Sequence, residues 1–345
     1  MFDEGVRPLV VVAMGVDEAA AVLPGELRLR LARSADVVPG TLTGPLTTPE
    51  ARTALAKAHV LLTGWGCPPL TCDVLDGAPC LRTVVHAAGS VRQLATPALW
   101  DRGITVTSAA DANAGPVADY ALAAITLAAK RALAMAAAYG RHGSRVPGPG
   151  SWPAFRDREG ADGRTVGVIG ASRVGRRVLA RLRSSDAGYR VLLYDPYVSS
   201  SDAALLGTEL CDLDDLCRRS SIATVHAPQL PETHHLLDAA HLALLPDGAT
   251  VINTARGSLV DTDALVRECS SGRLDAFLDV TDPEPLPAAH PLLWLPNVLV
   301  TPHLAGAQGT EARRLGLYAV QEIERLVNGE RLRGRVSREE MELRA

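Results

Sequence analysis

The chain has 345 residues, with 35 basic and 39 acidic side chains and a formal net charge of −4, and this length suits two domains with full-sized cores. The near-neutral balance gives no strong field that would attract nucleic acid or an anionic membrane surface, so neither is an expected partner. Apolar residues make up 47% of the chain and aromatic residues only 4%, which is typical of buried parallel strands of alanine, valine and leucine covered by helices.

In the first third of the chain, short apolar runs alternate with helical patterns. The segment 48–58 is the clearest helix, because Thr48 can cap it and Pro49 suits its first turn. Strands that alternate with helices predict a parallel sheet. The predicted strands of this part are 9–14, 36–38, 59–63, 83–87 and 104–107.

The middle of the chain opens with one long predicted helix, 113–140, which has Pro116 in its first turn and Gly140 at its end. The segment 143–163 is rich in glycine and proline and is predicted as a loop. A second strand–helix series leads into an amphipathic helix at 309–328, and the highly charged residues 331–345 are expected to be partly disordered. The predicted strands of this series are 165–169, 191–194, 222–226, 250–253, 276–280 and 298–301.

This order of elements predicts an α/β fold with two doubly wound parallel-sheet domains, one nested within the other. Residues 1–112 and 308–345 would form the outer domain, and residues 113–307 the inserted one. The two long helices, 113–140 and 309–328, would carry the chain from one domain to the other.

The cysteines and the apolar stretches bear on the cellular compartment. None of the six cysteines belongs to a Cys-x-x-Cys pair, so we expect no metal site and interpret them as reduced thiols. The acidic N-terminus lacks the basic region of a secretory signal. The most apolar stretch, 120–139, is interrupted by Lys130 and Arg131 and is too short to span a bilayer. We therefore expect a cytoplasmic protein.

The segment 165–175 has the pattern of a strand that enters a tight turn and then a helix. It matches Gly-x-Gly-x-x-Gly at Gly170 and Gly175, with Ser172 in place of the second glycine. Gly170 permits the turn, and Gly175 allows helix and strand to pack closely. The N–H groups at the helix start, including those of Arg173 and Val174, can bind a pyrophosphate. The motif predicts a dinucleotide site, in which the hydroxyl of Ser172 either binds a phosphate oxygen or keeps the loop slightly farther away.

Asp195 ends the next predicted strand, 20 residues after Gly175. A carboxylate there can accept hydrogen bonds from the adenosine ribose hydroxyls. It would also repel a 2′-phosphate, so NAD is favoured over NADP as the cofactor. The alternative is an ordinary strand–helix turn with a capping aspartate.

Three residues that are far apart in the sequence lie in local sequence motifs that suit carboxylate binding and proton transfer. Arg256 lies in Asn-Thr-Ala-Arg-Gly, Glu284 in Asp-Val-Thr-Asp-Pro-Glu-Pro and His303 in Thr-Pro-His-Leu-Ala-Gly. A guanidinium can hold a carboxylate through two N–H donors, and an imidazole can donate or accept a proton near neutral pH. The order and frames of the three residues resemble those of the D-isomer-specific 2-hydroxyacid dehydrogenases, and the resemblance spans nearly the whole chain.

The resemblance implies an NAD-dependent enzyme that reduces a 2-oxo acid to the D-2-hydroxy acid, or runs the reverse reaction. In that reaction Arg256 binds the substrate carboxylate, His303 exchanges a proton with the C2 oxygen, and Glu284 hydrogen-bonds the far ring nitrogen of His303. Asp282 is the rival of Glu284 by proximity, but the spacing of five from Asp279 favours Glu284. A glutamate rather than a glutamine at this position argues against a formate dehydrogenase.

The resemblance also makes the outer domain a flavodoxin-like substrate-binding domain and the inserted domain a Rossmann-type NAD-binding domain, and it implies a homodimer. Asp279 is expected near the nicotinamide carboxamide. The other cofactor contacts that it implies, besides the glycine turn and Asp195, are His226, Ala227 and Pro228 under the nicotinamide ribose, Thr233 on the phosphate side, Thr254, Ala255 and Arg256 beside the ring, and His303 and Gly306.

The turn expected to bind the substrate carboxylate departs from the family pattern. Many relatives read Ala-Gly-Val-Gly-Val-Asp-Asn there, whereas this chain reads Ala-Ala-Gly-Ser-Val-Arg-Gln. Ala88, Gly89 and Ser90 fall at the expected contact, where backbone N–H groups would be the donors. Arg92 and Gln93 replace the usual aspartate and asparagine, so the identity of the 2-oxo acid stays open.

Trp65 lies between two glycines in the loop after the predicted strand 59–63. We expect it to set the size limit on the group attached to C2 of the substrate. The alternative is a tryptophan that packs on the surface of its own loop.

Two other functions compatible with the same residues are kept. An enzyme that acts on a phosphorus oxyanion or a phosphonate could use the same cation and base, and it would be expected to carry an added cation in the substrate pocket, for which Arg92 is the candidate. An NAD-sensing binding protein would keep the fold with little turnover.

Overall fold

The computed structural model describes residues 7–142 and 160–344. It divides into two compact units, of which the first comprises Met1–Ala114 and Gly306–Ala345 and the second Gly115–Ala305. Most of the predicted loop 143–163 lies outside the described residues.

The secondary structure alternates strand and helix through most of the described chain. The strands are β1 Leu9–Ala13, β2 Asp36–Val37, β3 Val60–Thr63, β4 Thr83–His86, β5 Thr105–Ser108, β6 Thr165–Ile169, β7 Arg190–Tyr194, β8 Glu209–Leu210, β9 Ile222–Val225, β10 Thr250–Asn253, β11 Asp275–Leu278, β12 Val298–Val300 and β13 Arg335–Val336. The helices are α1 Val16–Val22, α2 Gly25–Ser34, α3 Pro49–Leu55, α4 Cys72–Asp76, α5 Pro97–Asp101, α6 Ala110–Ala129, α7 Ala132–His142, α8 Arg173–Arg183, α9 Ser200–Leu206, α10 Leu213–Arg219, α11 Ala239–Leu244, α12 Thr262–Ser270, α13 Ala312–Val327 and α14 Arg338–Arg344.

The sheet of the first unit has the order β13-β5-β4-β3-β1-β2. All neighbours are parallel except β13, which is antiparallel to β5. Without β13 the order is the 2-1-3-4-5 of flavodoxin-like sheets. Every residue of β3 and β4 is buried, because helices cover both faces of a parallel sheet, and this explains why the strand sequences show no alternation of apolar and polar residues.

The sheet of the second unit has the order β12-β11-β10-β9-β6-β7-β8, with every neighbouring pair parallel. Counted from β6, this is the 3-2-1-4-5-6 order of dinucleotide-binding sheets, extended by one strand. The order reverses between β6 and β9. Ligands of such sheets bind at the carboxyl ends of the strands beside this switch point.

The predicted strands agree with the structure to within two residues at each end. The helix predicted at 48–58 is α3, and Thr48 caps it by accepting a hydrogen bond from the Ala51 N–H at 3.2 Å. The predicted helix 309–328 is a short 3-10 helix, Gly309–Glu311, followed by α13.

The prediction of one helix at 113–140 is wrong. The segment forms two helices, α6 and α7, separated at Arg131, whose φ of 48° lies in the left-handed region. Because α6 begins at Ala110, Pro116 lies inside the helix rather than in its first turn, where its missing N–H costs one helical hydrogen bond.

The expectation of partial disorder at 331–345 is also wrong for its described part, which forms β13 and α14. The carboxylate of Glu322, fully buried in α13, accepts hydrogen bonds from the backbone N–H groups of Arg333 at 3.1 Å and Gly334 at 2.9 Å. It also pairs with Arg325 at 2.7 Å. This buried carboxylate holds the chain that leads into β13.

Candidate active site

The turn after β6 brings the start of α8 close to the end of β9. Gly170 has a φ of 96°, and a Cβ on it would lie 2.7 Å from the Ala227 nitrogen. A Cβ on Gly175 would collide with the carbonyl oxygen of Gly170. The two glycines therefore allow an approach that any side chain would prevent.

Ser172, which replaces the middle glycine of the motif, is the N-cap of α8. Its Oγ accepts a hydrogen bond from the Gly175 N–H at 3.3 Å. Serine is a favoured capping residue, and its hydroxyl proton stays available as a donor. The N–H groups of Arg173 and Val174 have no acceptor inside the helix, because a helix leaves its first N–H groups unpaired. The turn therefore presents several donors to an anion.

Asp195, just after β7, is bound to the same turn. Its Oδ2 accepts from the Ala171 N–H at 2.7 Å and its Oδ1 from the Tyr197 N–H at 2.8 Å. A carboxylate has further lone pairs, so these bonds leave room for ribose hydroxyls. The contact with the adenosine ribose stays a prediction.

Two buried polar atoms at the ends of β9 and β10 have no hydrogen-bond partner among the described residues, namely His226 Nδ1 and Thr254 Oγ1. The other ring nitrogen of His226 lies 2.9 Å from Thr224 Oγ1, and burial lowers the pKa of His226 to about 3. An unpaired buried polar atom costs about 1–3 kcal/mol. His226 lies against the Gly170–Gly175 turn, and Thr254 follows the strand paired with β9; the two unpaired atoms fit a dinucleotide that supplies the missing partners.

The loop after β9 is closed by its own hydrogen bonds. The hydroxyl of Thr233 donates to the Pro228 carbonyl at 2.7 Å and accepts from the Leu230 N–H at 2.8 Å. In the next loop, Ala255 donates its N–H to Asn253 Oδ1 at 3.0 Å. These bonds fix the shape of both loops, and the expected cofactor contacts of Pro228, Thr233 and Ala255 stay predictions.

Arg256, Glu284 and His303 follow three neighbouring strands, β10, β11 and β12, at the same edge of the sheet. The loops of Arg256 and Glu284 are in direct contact, since a Cβ on Gly257 would collide with the backbone of Thr281. The topology therefore gathers the three residues from separate parts of the chain.

The imidazole of His303 is paired with Glu284 and not with Asp282. His303 Nδ1 lies 2.6 Å from Glu284 Oε1, and the two side chains are 50% and 40% exposed, so a ligand can reach them. A carboxylate acceptor keeps the proton on Nδ1 and leaves Nε2, on the far side of the ring, for proton exchange.

Hydrogen bonds fix both the side chain and the backbone carbonyl of Arg256. Its Nη1 donates to the Ala255 carbonyl at 2.6 Å, and its own carbonyl accepts from Asn253 Nδ2 at 2.7 Å. The side chain is partly buried. A guanidinium has five N–H donors and can hold a carboxylate through two of them.

Asp279 binds the backbone around His303. Its Oδ1 accepts from the Leu304 N–H and its Oδ2 from the Ala305 N–H, both at 2.8 Å, and Thr301 Oγ1 lies 2.7 Å from Oδ1. The residue is 2% exposed. Its expected approach to the nicotinamide carboxamide stays a prediction, whereas its contacts with the His303 loop were missed in the sequence.

The turn predicted to bind the substrate carboxylate follows β4 in the first unit. Ala88 is buried and its carbonyl accepts from the Ala109 N–H at 3.0 Å. The N–H groups of Gly89 and Ser90 have no acceptor within 7–142 and 160–344. Two unpaired amides at this turn suit an anionic ligand.

His86 and Asn113, which sequence reasoning left unassigned, support that turn. His86 Nδ1 lies 3.0 Å from Thr63 Oγ1, and its ring also hydrogen-bonds the backbone of Ser90. Burial lowers the pKa of His86 to about 4, against the opposing effect of that bond to Ser90. A Cβ on Gly89 would lie 3.2 Å from Asn113 Nδ2, and one on Gly306 would lie 3.1 Å from Asn113 Oδ1.

Trp65 is 36% exposed at the end of the β3 loop. Its carbonyl accepts from the Gly15 N–H at 2.8 Å, and the neighbouring Gly66 has a φ of 79°. These contacts fix the backbone beneath the indole, and the role of Trp65 in substrate size stays a prediction.

Within 7–142 and 160–344, no three histidine, cysteine, aspartate or glutamate side chains lie together in a way that could hold a metal ion. None of the described helices is long and apolar enough to cross a membrane.

Comparison with known proteins identifies the family of the chain. The model of the family described as "D-isomer specific 2-hydroxyacid dehydrogenase, NAD binding domain" matches residues 124–305. The D-3-phosphoglycerate dehydrogenase of Methanocaldococcus jannaschii is 34% identical over 290 residues, which cover 83% of this chain and 53% of that protein. The glyoxylate reductase of Thermofilum pendens is 30% identical over 279 residues, 79% of each protein.

A solved structure supports the fold. The D-mandelate dehydrogenase of Rhodotorula graminis superposes with a TM-score of 0.78 at 24% identity, covering 96% of this chain and 98% of that one. The chain spans about half the length of the D-3-phosphoglycerate dehydrogenases that it matches. With its matching NAD-binding domain and these relatives, the chain belongs to the D-isomer-specific 2-hydroxyacid dehydrogenase family.

Proposed function

We propose that this protein catalyses the NAD-dependent reduction of a 2-oxo acid to the D-2-hydroxy acid, or the reverse reaction. The observation that carries the proposal is the 2.6 Å hydrogen bond between His303 Nδ1 and Glu284 Oε1. It lies on a sheet edge that also carries the glycine turn, in a chain with the family's NAD-binding domain. The second unit would bind NAD, and the first would contribute to substrate binding.

The side chains have distinct roles in this proposal. Bound NADH supplies the hydride that C2 of the substrate accepts. Arg256 holds the substrate carboxylate through its N–H donors. His303, with its Nδ1 proton on Glu284, donates a proton from Nε2 to the C2 oxygen, which becomes the hydroxyl. In the reverse direction Nε2 accepts that proton.

We further propose a substrate with a small, uncharged group on C2. The ring of His86, beside the Ala88–Ser90 turn, is neutral near pH 7, because burial lowers its pKa to about 4. Arg92, the candidate cation for a phosphorus oxyanion, is exposed and donates from Nη2 to the Met341 carbonyl at 3.1 Å. Neither group supports a phosphorylated or phosphonate substrate, and glyoxylate fits this description better than 3-phosphoglycerate.

The experiment measures NADH oxidation by the purified protein with glyoxylate, pyruvate and phenylpyruvate, and NAD reduction with D-3-phosphoglycerate. The expected result is turnover that is fastest with glyoxylate or pyruvate and gives the D-hydroxy acid from pyruvate. A higher kcat/KM with D-3-phosphoglycerate would contradict the proposed substrate class. Tight NADH binding without turnover of any 2-oxo acid would contradict the enzyme and support the NAD-sensing alternative.

We also propose that the protein is a homodimer, as the family resemblance implies, and that it is cytoplasmic, because none of its six cysteines forms a Cys-x-x-Cys pair and they are interpreted as reduced thiols. Light scattering during size-exclusion chromatography gives the mass directly. A single species of twice the 36.4 kDa chain is expected, and a monomer at micromolar concentration would contradict the dimer.

A further inference from the structure

Within the second unit, two hydroxyl groups and a carboxylate form a chain of hydrogen bonds that reaches the loop of His303. The hydroxyl of Tyr120, on α6, lies 2.8 Å from Thr301 Oγ1. Thr301 Oγ1 in turn lies 2.7 Å from Oδ1 of Asp279. Tyr120 and Thr301 are separated by 181 residues of sequence, so only the fold brings them together.

The direction of these hydrogen bonds follows from the acceptor at their end. Two backbone N–H groups donate to the carboxylate of Asp279, and a carboxylate can only accept from the hydroxyl of Thr301, which lies 2.7 Å from Oδ1. Thr301 therefore donates its single proton to Asp279, and its oxygen accepts the proton of Tyr120. Burial raises the pKa of Tyr120 by more than the hydrogen bond with Thr301 lowers it, and the charge of Asp279 raises it further, so the phenol keeps the proton that this arrangement requires.

The same carboxylate binds the backbone after His303. The N–H groups of Leu304 and Ala305 each donate to Asp279 at 2.8 Å. The N–H of His303 donates to the Asp279 carbonyl at 2.9 Å. His303 itself has a φ of 53°. This left-handed backbone conformation is uncommon for residues other than glycine and is held by the surrounding structure. Asp279 and its partners are those surroundings.

We propose that Tyr120 is a positioning residue that acts through Thr301 and Asp279 to hold the 301–305 loop in the conformation that keeps His303 on Glu284. The kinetic part of this inference rests on the proposed function, whereas the part about loop order does not. The His303–Glu284 pair is about half exposed, so few packing contacts fix the ring. The position of the imidazole therefore depends on the backbone of residues 301–305, to which Tyr120 is linked through Thr301 and Asp279.

The test is Tyr120→Phe, which removes one hydroxyl and keeps the ring. Tyr189→Phe is the matched control, because Tyr189 packs on the core of the same unit and its hydroxyl makes no hydrogen bond within the described residues. Amide hydrogen exchange is followed in peptides that cover 301–306, with a β10 peptide as the internal reference. The expected result is exchange at Leu304 and Ala305 that is at least about threefold faster in Tyr120→Phe and unchanged in the control.

With a substrate that is turned over, kcat should fall by about 3- to 30-fold in Tyr120→Phe, while the Kd for NADH stays within about twofold. Thr301→Val should lower kcat at least as much, and adding Tyr120→Phe to it should have little further effect, since both changes break one chain. Thr301→Ser, which keeps the hydroxyl, should restore most of the rate.

Unchanged exchange at Leu304 and Ala305 in Tyr120→Phe would overturn the inference. So would additive effects of the two substitutions on kcat, or an equal loss of kcat in Tyr189→Phe. If the wild-type protein turns over no 2-oxo acid but the exchange difference is present, the proposed function fails and the role of Tyr120 in loop order stands.

Discussion

Replacing Gly257 with alanine would put a methyl group into the backbone of the neighbouring loop. The new Cβ would overlap the carbonyl group of Thr281 and lie 2.5 Å from the Asp282 nitrogen. The backbone of Thr281 cannot rotate away from the new methyl group as a side chain could. The loop that carries Arg256 must therefore move away from the loop that carries Glu284. Overpacking of this kind costs about 1–3 kcal/mol, which lowers Tm by roughly 2–12 °C in a domain of this size.

The kinetic effect should exceed the effect on stability. A displacement of about 1 Å between groups that act on one substrate can cost about a hundredfold in rate, so we expect kcat/KM for the 2-oxo acid to fall by about 10- to 100-fold in Gly257→Ala. Binding of NADH should change less, because the Gly170–Gly175 turn is untouched. The assays are thermal unfolding, NADH titration and steady-state kinetics.

Gly115→Ala is the matched control for this substitution. Gly115 lies in α6, and a Cβ on it meets nothing within 4 Å, so alanine should be neutral or stabilising by up to about 1 kcal/mol. If Gly257→Ala keeps wild-type Tm and kcat/KM, the close contact between the two loops does not set the geometry of the site.

Two further predictions concern buried ionisable groups. Glu322→Ala should lower the free energy of unfolding by about 3–5 kcal/mol, because Arg325 would be left buried without its partner; a loss below about 1 kcal/mol in urea denaturation would contradict this. For His86 the folded pKa is about 4 and the unfolded pKa about 6.5, so the unfolded state binds the extra proton between these values. The contribution of His86 to stability is therefore full above pH 6.5 and falls, by roughly 3 kcal/mol, as the pH drops to 4; His226, with a pKa lowered to about 3, adds a loss in the same direction. His86→Gln should remove this part of the pH dependence, and an unchanged slope would exclude His86 as its source.

Much of the fold could be predicted because its strands are buried on both faces. Continuous apolar runs such as 9–13 and 60–62 leave little choice of structure. The strands β8 and β13, which were not predicted, have two residues each, and so short a run carries little pattern. The break between α6 and α7 depends on the left-handed conformation of Arg131; Lys130 and Arg131 interrupt the apolar stretch there, but two basic residues do not by themselves predict that conformation.

The candidate site could be predicted from the sequence only in part. The frames of Glu284 and His303 made their contact predictable, and the glycine motif located the turn at Gly170. The sequence left two possibilities for Ser172, and only the structure shows its oxygen capping α8. The bond between Tyr120 and Thr301 depends on tertiary structure alone, because no sequence spacing connects residues that far apart.

The measurement that tests the central claim most directly is kcat for reduction of the best 2-oxo acid by His303→Ala. His59→Ala serves as the control, since His59 lies at the amino-terminal end of β3, away from the strand ends that carry the site. We expect a loss of at least about a hundredfold for His303→Ala, with NADH still bound and His59→Ala close to the wild-type rate. A rate for His303→Ala within a few fold of the wild type would show that His303 does not transfer the proton.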